Sequence, residues 1–296
     1  MTGGGRGIGR AVALALAREG HPVCVNDTGV ALDGSRPDAG PAEAVADEIR
    51  AAGGQALALT TDARSRAGAE AVVAGARDWT GADPSVLVHS AGTLRDAMVH
   101  KTTDEDWAEI LGSHLSVAVE LTRAVAAGMR REGYGRIVYV GGAAGLVGSV
   151  GQAAYAVAKA GLFGLTRAVA LEMAGRDVGV NYVAPFAFTR MTESIPPVTD
   201  RLREYLRAAP EARPDDVAPL VAWLCSAHAA GVSGQIFGAR GAQVDLWSQP
   251  RPLVELVDTD GWTVDTLGAA RGRFDDHLVP LESEFDLFGG PPVAVR

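Results

Sequence analysis

Lysine is almost absent from this chain. Of the 27 basic residues in the 296-residue sequence, only Lys101 and Lys159 are lysines; the other 25 are arginine. Cysteine is equally scarce. Cys24 and Cys225 stand alone in apolar stretches, which excludes a disulfide framework and fits buried thiols in a reducing, cytoplasmic setting. The six histidines never fall with these cysteines at metal-ligand spacing, so no metal site is expected. No apolar run approaches the ~18 residues of a membrane span, and the opening MTGGGRGIGR carries no apolar h-region, so no membrane partner is expected. A formal net charge of −9 excludes a broad electrostatic affinity for nucleic acid or anionic lipid.

What is present is an alternation of two periods. Short apolar runs at 21–26, 55–60, 85–90, 136–140, 178–183 and 234–238 read as buried strands. Longer amphipathic stretches lie between them, among them DEDWAEILGSHLSVAVELTRAVAAGMRRE and QAAYAVAKAGLFGLTRAVALEMAG. Gly20 and Gly53 are C-cap signals and Thr103 is an N-cap signal. The alternation predicts an α/β fold, a Rossmann-like doubly wound parallel sheet covered on both faces. One dinucleotide-binding domain is expected over 1–246, with a substrate lid at about 186–213. Residues 247–296 lose the alternation and read as a C-terminal extension.

TGGGRGIG at 2–9 places Gly3, Gly7 and Gly9 around Arg6 and Ile8 at the mouth of the first helix. Glycines there let the backbone approach a pyrophosphate, and the helix start offers free N–H groups to it. A strand and Asp27 follow, at the spacing of an acid that accepts hydrogen bonds from an adenosine ribose. That acid favours NAD over NADP, although Arg6 is a cation that tolerates a phosphate. Asp62 after the next strand is either an adenine-edge contact or a helix N-cap. Tyr155 and Lys159 stand four apart, stacked on one helix face. A neighbouring ammonium favours a phenolate, which suits Tyr155 to acid–base work. In a chain this poor in lysine, Lys159 points to a compact ammonium serving a purpose a guanidinium would not.

TGGGRGIG, SAG at 90–92, YAVAK at 155–159 and NYVAP at 181–185 occur in the order and spacing of the short-chain dehydrogenase/reductase family, which the chain resembles from residue 2 to about 246. Within it, VNDTG, GTLRDAMV, DEDW, YGRIVYV, GQAAYAVAKAGLFGL and TRMT look most like the (3R)-hydroxyacyl-CoA dehydrogenase module of multifunctional β-oxidation enzymes and its bacterial relatives. The resemblance implies a nicotinamide cofactor and reversible oxidation of a secondary alcohol, with a 3-hydroxyacyl thioester as one substrate class. It adds Ala63, Ser90, Ala91, Gly92, Pro185, Thr189 and Thr192 to the cofactor contacts, and a homodimer or homotetramer through the long helices.

The chain departs from that pattern in four places. The family's catalytic serine aligns with Gly142, and Ser149 is the nearest alternative hydroxyl. The family's relay asparagine aligns with His114, either a proton relay or a satisfied, half-buried histidine. His89 replaces an asparagine that ties strands together. Only Met1 precedes the glycine loop where a central strand is expected, so the natural protein is expected to begin roughly ten residues upstream. Two activities follow as alternatives: an alcohol/ketone oxidoreductase weakened at Gly142, or a degenerate dinucleotide-binding subunit that partners an active paralogue.

Overall fold

The computed structural model describes residues 1–195, 200, 203, 206–207, 209–284 and 287. Its strands are β1 (Val23–Asn26), β2 (Ala56–Leu59), β3 (Val86–His89), β4 (Tyr134–Val140), β5 (Asp177–Phe186), β6 (Ile236–Arg240) and β7 (Gln243–Leu246). The helices that matter here are α1 (Gly7–Arg18), α2 (Gly40–Ala51), α3 (Arg66–Thr80), α4 (Asp104–Leu111), α5 (Val117–Glu132), α6 (Ala144–Val147), α7 (Ala153–Glu172), α8 (Arg190–Glu193) and α9 (Pro214–Cys225). β1 pairs with β2, and β3 to β6 run parallel in sequence order; β7 closes the edge antiparallel to β6.

Thr2 joins the two sheet pieces. It bridges in parallel to Asn26 on one side and His89 on the other, its N–H donating to Val88 O (3.0 Å) and its carbonyl accepting from Ser90 N (3.0 Å). Met1 and Thr2 alone occupy the central position where the sequence leads one to expect a whole strand. Beside them, between β1 and β3, lies a cavity of about 220 Å³ lined by Leu16, Val23, Val72, Leu87 and Leu121 among others.

The sheet is covered on both faces, as its apolar strands require. Val138 and Val140 of β4 join Val12, Ile49 and Val221 in one core, under α1, α2 and α9. The alternate residues Ile137 and Tyr139 join Leu121, Leu162 and Val180 in the other, under α3, α5 and α7. Asp104–Glu132 and Ala153–Glu172 are long and apolar enough to cross a membrane by length and composition alone; here they pack against this second core.

The stretch expected as one helix over 104–132 is interrupted. Gly112–Ser116 forms a π-helical turn between α4 and α5, and the residue it adds turns His114 fully inward. Thr103 caps α4 in a capping box with Asp106. Of the expected lid, 186–195, 200, 203, 206–207 and 209–213 can be described, with Arg190–Glu193 helical; 196–199, 201–202, 204–205 and 208, and with them most of the expected helix DRLREYL, fall outside the described residues. The extension carries two short exposed helices, Val264–Ala270 and Gly272–Asp275, and then returns to the domain at Glu284.

Candidate active site

A cavity of about 390 Å³ opens at the carboxyl ends of the parallel strands, where α/β sheets take their ligands. Gly3, Arg6, Gly7, Ile8, Gly9, Asp27, Asp62, Ala63, Ser90, Ala91, Gly92, His114, Gly142, Tyr155, Lys159, Pro185, Thr189 and Thr192 all line it. Ser149, the alternative hydroxyl, does not.

At one end the glycine loop meets the tip of β1. A side chain at Gly9 would overlap the carbonyl of Gly3, so the turn closes only with glycine there. No side chain caps α1, whose first amides stay available to an anion. The Asp27 carboxylate accepts from Gly5 N (2.8 Å) and Gly29 N (2.7 Å), which ties the glycine loop to the long connection after β1. Arg6 donates to the carbonyls of Gly29 and Val30, and Arg190 to Val30 as well (3.2 Å). Burial, and then the charge of Arg6, hold the Arg190 guanidinium below its ordinary pKa. Asp62 accepts from Arg64 N (2.9 Å) and the Arg64 guanidinium. The N-cap of α3 is Ser65, so the capping alternative for Asp62 is set aside. Thr189 caps α8 and reaches over Gly7. A bare helix start, a glycine-lined turn and a carboxylate at the strand tip together fit a dinucleotide.

At the other end β4, the π-turn and α7 converge. Lys159 is buried, donates to Val140 O (2.9 Å) and stands 5.3 Å from the Tyr155 ring centroid. Burial lowers its pKa to about 7. Gly142 faces this pair: a Cβ built on it would lie 3.2 Å from Tyr155 Oη. A side chain at 142 therefore points at the phenol, and here there is none. The backbone of Gly142 is itself held by Tyr182, which accepts from its N–H (2.9 Å) and donates to its carbonyl (2.7 Å). Thr192 lines the cavity but turns its hydroxyl back to Ala187 O (2.9 Å).

His114 packs edge-on against Tyr155, with ring centroids 5.2 Å apart. It is fully buried, not half-buried. Its Nε2 sits 2.8 Å from the carbonyl of Thr93; a carbonyl only accepts, so Nε2 carries the proton and Nδ1 is a bare acceptor with no partner among the described residues. Burial, then the charge on Lys159, keep the ring neutral, far below its ordinary pKa. Gly92 makes room for it, since a Cβ there would overlap the imidazole. His89 does tie elements together: it bonds Thr2 Oγ1 (2.9 Å) and His114 O (2.7 Å), and burial lowers its pKa to about 3.

Several cavity residues were not singled out by the sequence, Arg190, Gln152 and Glu284 among them. Arg190 and Gln152 belong to segments whose contacts close only in the fold, and Glu284 arrives from the extension. Gln152, three residues before Tyr155, could have been found from its place at the entry to α7.

Comparison with known proteins gives the family and the fold. The family described as "Enoyl-(Acyl carrier protein) reductase" matches residues 3–241. The hydroxyacyl-CoA dehydrogenase ChsB1 of Mycobacterium tuberculosis is 39% identical over 285 residues, 90% of this chain and 83% of that protein. The mouse peroxisomal multifunctional enzyme type 2 is 40% identical over 225 residues, 76% of this chain but only 29% of that enzyme. A crystal structure of a short chain dehydrogenase from Mycobacterium avium superposes with a TM-score of 0.79 at 36% identity, covering 95% of each chain. The chain belongs to the short-chain dehydrogenase/reductase family.

Proposed function

We propose that the protein is an NAD-dependent oxidoreductase that interconverts a secondary alcohol and a ketone, a 3-hydroxyacyl thioester being the substrate class its relatives suggest. The observation that carries the reading is the meeting of Tyr155, Lys159 and His114 around one end of a cavity whose other end is a glycine loop and Asp27. The nicotinamide, when bound, accepts or returns the hydride. Tyr155 Oη takes the proton from the alcohol, or gives it to the ketone. Lys159 supplies positive charge beside the phenol ring, fixed by its bond to Val140 O. The bare Nδ1 of His114 is a relay acceptor for a proton arriving by water. Gly142 supplies no donor to the substrate oxygen; one such donor is worth about 2.7–4 kcal/mol, so the reaction is slowed rather than abolished.

Asp27 favours NAD, and Arg6 lowers the barrier to NADP less than a free guanidinium would because its donors are spent on Gly29 and Val30. We also propose a homodimer or homotetramer, on the strength of the apolar Val157 and Leu171 exposed on α7, and a cytoplasmic location, on the strength of two unpaired thiols. The test is turnover of a panel of secondary alcohols and 3-hydroxyacyl thioesters with NAD and NADP. Oxidation with NAD at the higher kcat/KM supports the reading. Binding of NAD without turnover of any of them, unchanged by Gly142→Ser, supports the second reading that Gly142 motivates, a dinucleotide-binding subunit without activity of its own.

A further inference from the structure

The loop from Gly148 to Gln152, which leads into the Tyr155 helix, is flanked by a carboxyl on each side. On one side Ala97 N donates to Gly151 O (2.8 Å), and the neighbouring Asp96 accepts from Gln152 Nε2 (2.9 Å). On the other side Glu284 N donates to Gly148 O (3.2 Å), and Glu284 lines the same cavity as Gly142, Gln152 and Tyr155. Its carboxyl meets the Ala144 amide and stands near Ser149 Oγ without completing a bond of good geometry. Gln152 is buried and lines the same cavity, yet its Oε1 has no partner among the described residues. This wall is thus rich in acceptors. The cations of the cavity stand elsewhere: Arg6 and Arg190 on Val30, Arg64 on Asp62 and Glu109, and Lys159 on Val140.

We propose that Glu284 is a specificity-determining residue that admits neutral carbonyl compounds bearing hydrogen-bond donors and rejects those with a free carboxylate. This rests on the oxidoreductase reading of the site. A carboxylate brought beside Glu284 loses water and meets a like charge, the cations of the cavity being bonded elsewhere, whereas the N–H of a neutral amide meets the unpaired Gln152 Oε1. Burial pushes the Glu284 carboxyl up to about 7, and Asp96 adds to the rise; Asp96 is raised by its own burial. The charged or titratable groups around Glu284 are Asp96 and Tyr182, with Tyr155, Lys159 and His114 across the cavity. The rejection therefore belongs to the ionised form of Glu284 and fades as the pH falls below about 7.

The experiment compares binding of acetoacetamide and acetoacetate to the intact protein with NADH present, read by saturation-transfer NMR at pH 8 and pH 6. The wild-type protein binds the amide at least about tenfold more tightly at pH 8 and by a smaller margin at pH 6. Glu284→Gln, which keeps the shape, narrows the margin to about threefold and removes its pH dependence, and Glu284→Lys reverses it. An unchanged margin in both variants, or tighter binding of acetoacetate by the wild type, overturns the proposal. Because the readout is binding, a protein that turns over no alcohol would refute the proposed reaction while leaving this preference measurable.

Discussion

Replacing Lys159 with methionine should stabilise the protein while silencing it. The wild-type ammonium is buried, and its pKa falls from 10.5 to about 7 through burial alone. At about 1.4 kcal/mol per pH unit, that gap sets a cost of roughly 4 kcal/mol for keeping the charge in the folded state at pH 7. Methionine fills similar space without the charge. It leaves Val140 O unpaired, which returns about 1–3 kcal/mol of the gain. The net expectation is a variant more stable by about 1–3 kcal/mol at pH 7. The sign with pH is fixed. A lysine whose folded pKa is lowered releases its proton on folding between about 7 and 10.5, so wild-type stability rises with pH through that window. The methionine variant lacks this rise, so its advantage is largest below about 7 and vanishes or reverses toward 10.5. Urea unfolding of both proteins at pH 6.5, 8 and 9.5 measures it. A variant less stable at pH 6.5, or a difference that does not change with pH, would refute the claim that this ammonium is held in place at a cost to the fold.

Three further outcomes follow. Gly142→Ser places a hydroxyl beside Tyr155 Oη and should raise kcat by up to about 10²–10³, read in steady-state turnover of whichever alcohol is accepted. Gly92→Ala drives a methyl into the His114 ring and should cost about 1–3 kcal/mol of stability in thermal or urea unfolding, together with most of the activity. Arg136→Met removes a buried guanidinium that bonds Ser226 O, Gly135 O and Asp177, leaving these carbonyls without that donor, and it should destabilise by about 1–3 kcal/mol in the same assay.

Much of this was legible because period and spacing carry it. Tyr155 and Lys159 meet because four residues is one helical turn, and the apolar runs became β1 to β6 because only a covered parallel sheet can bury them. The short antiparallel β7 is absent from the expected strands; it has four residues, and its two apolar side chains, Val244 and Leu246, are the exposed ones, so it forms no buried apolar run. Gly92 owes its identity to an imidazole more than twenty residues away, and the π-turn that brings that ring inward leaves no mark on the helical pattern of 104–132. Arg136 sits in a run that reads as plain core, yet it is wholly buried because Asp177 and two further carbonyls receive it across the sheet. Glu284 lies in a stretch without periodicity, and only the path of the chain shows that it lines the cavity.

The most direct test sets wild type beside Tyr155→Phe, with NAD binding followed by calorimetry and alcohol oxidation followed by NADH absorbance. The account predicts equal NAD affinity and a loss of at least about a hundredfold in turnover when the phenol hydroxyl is removed. Equal turnover in the two proteins, or no NAD binding by the wild type, would contradict it.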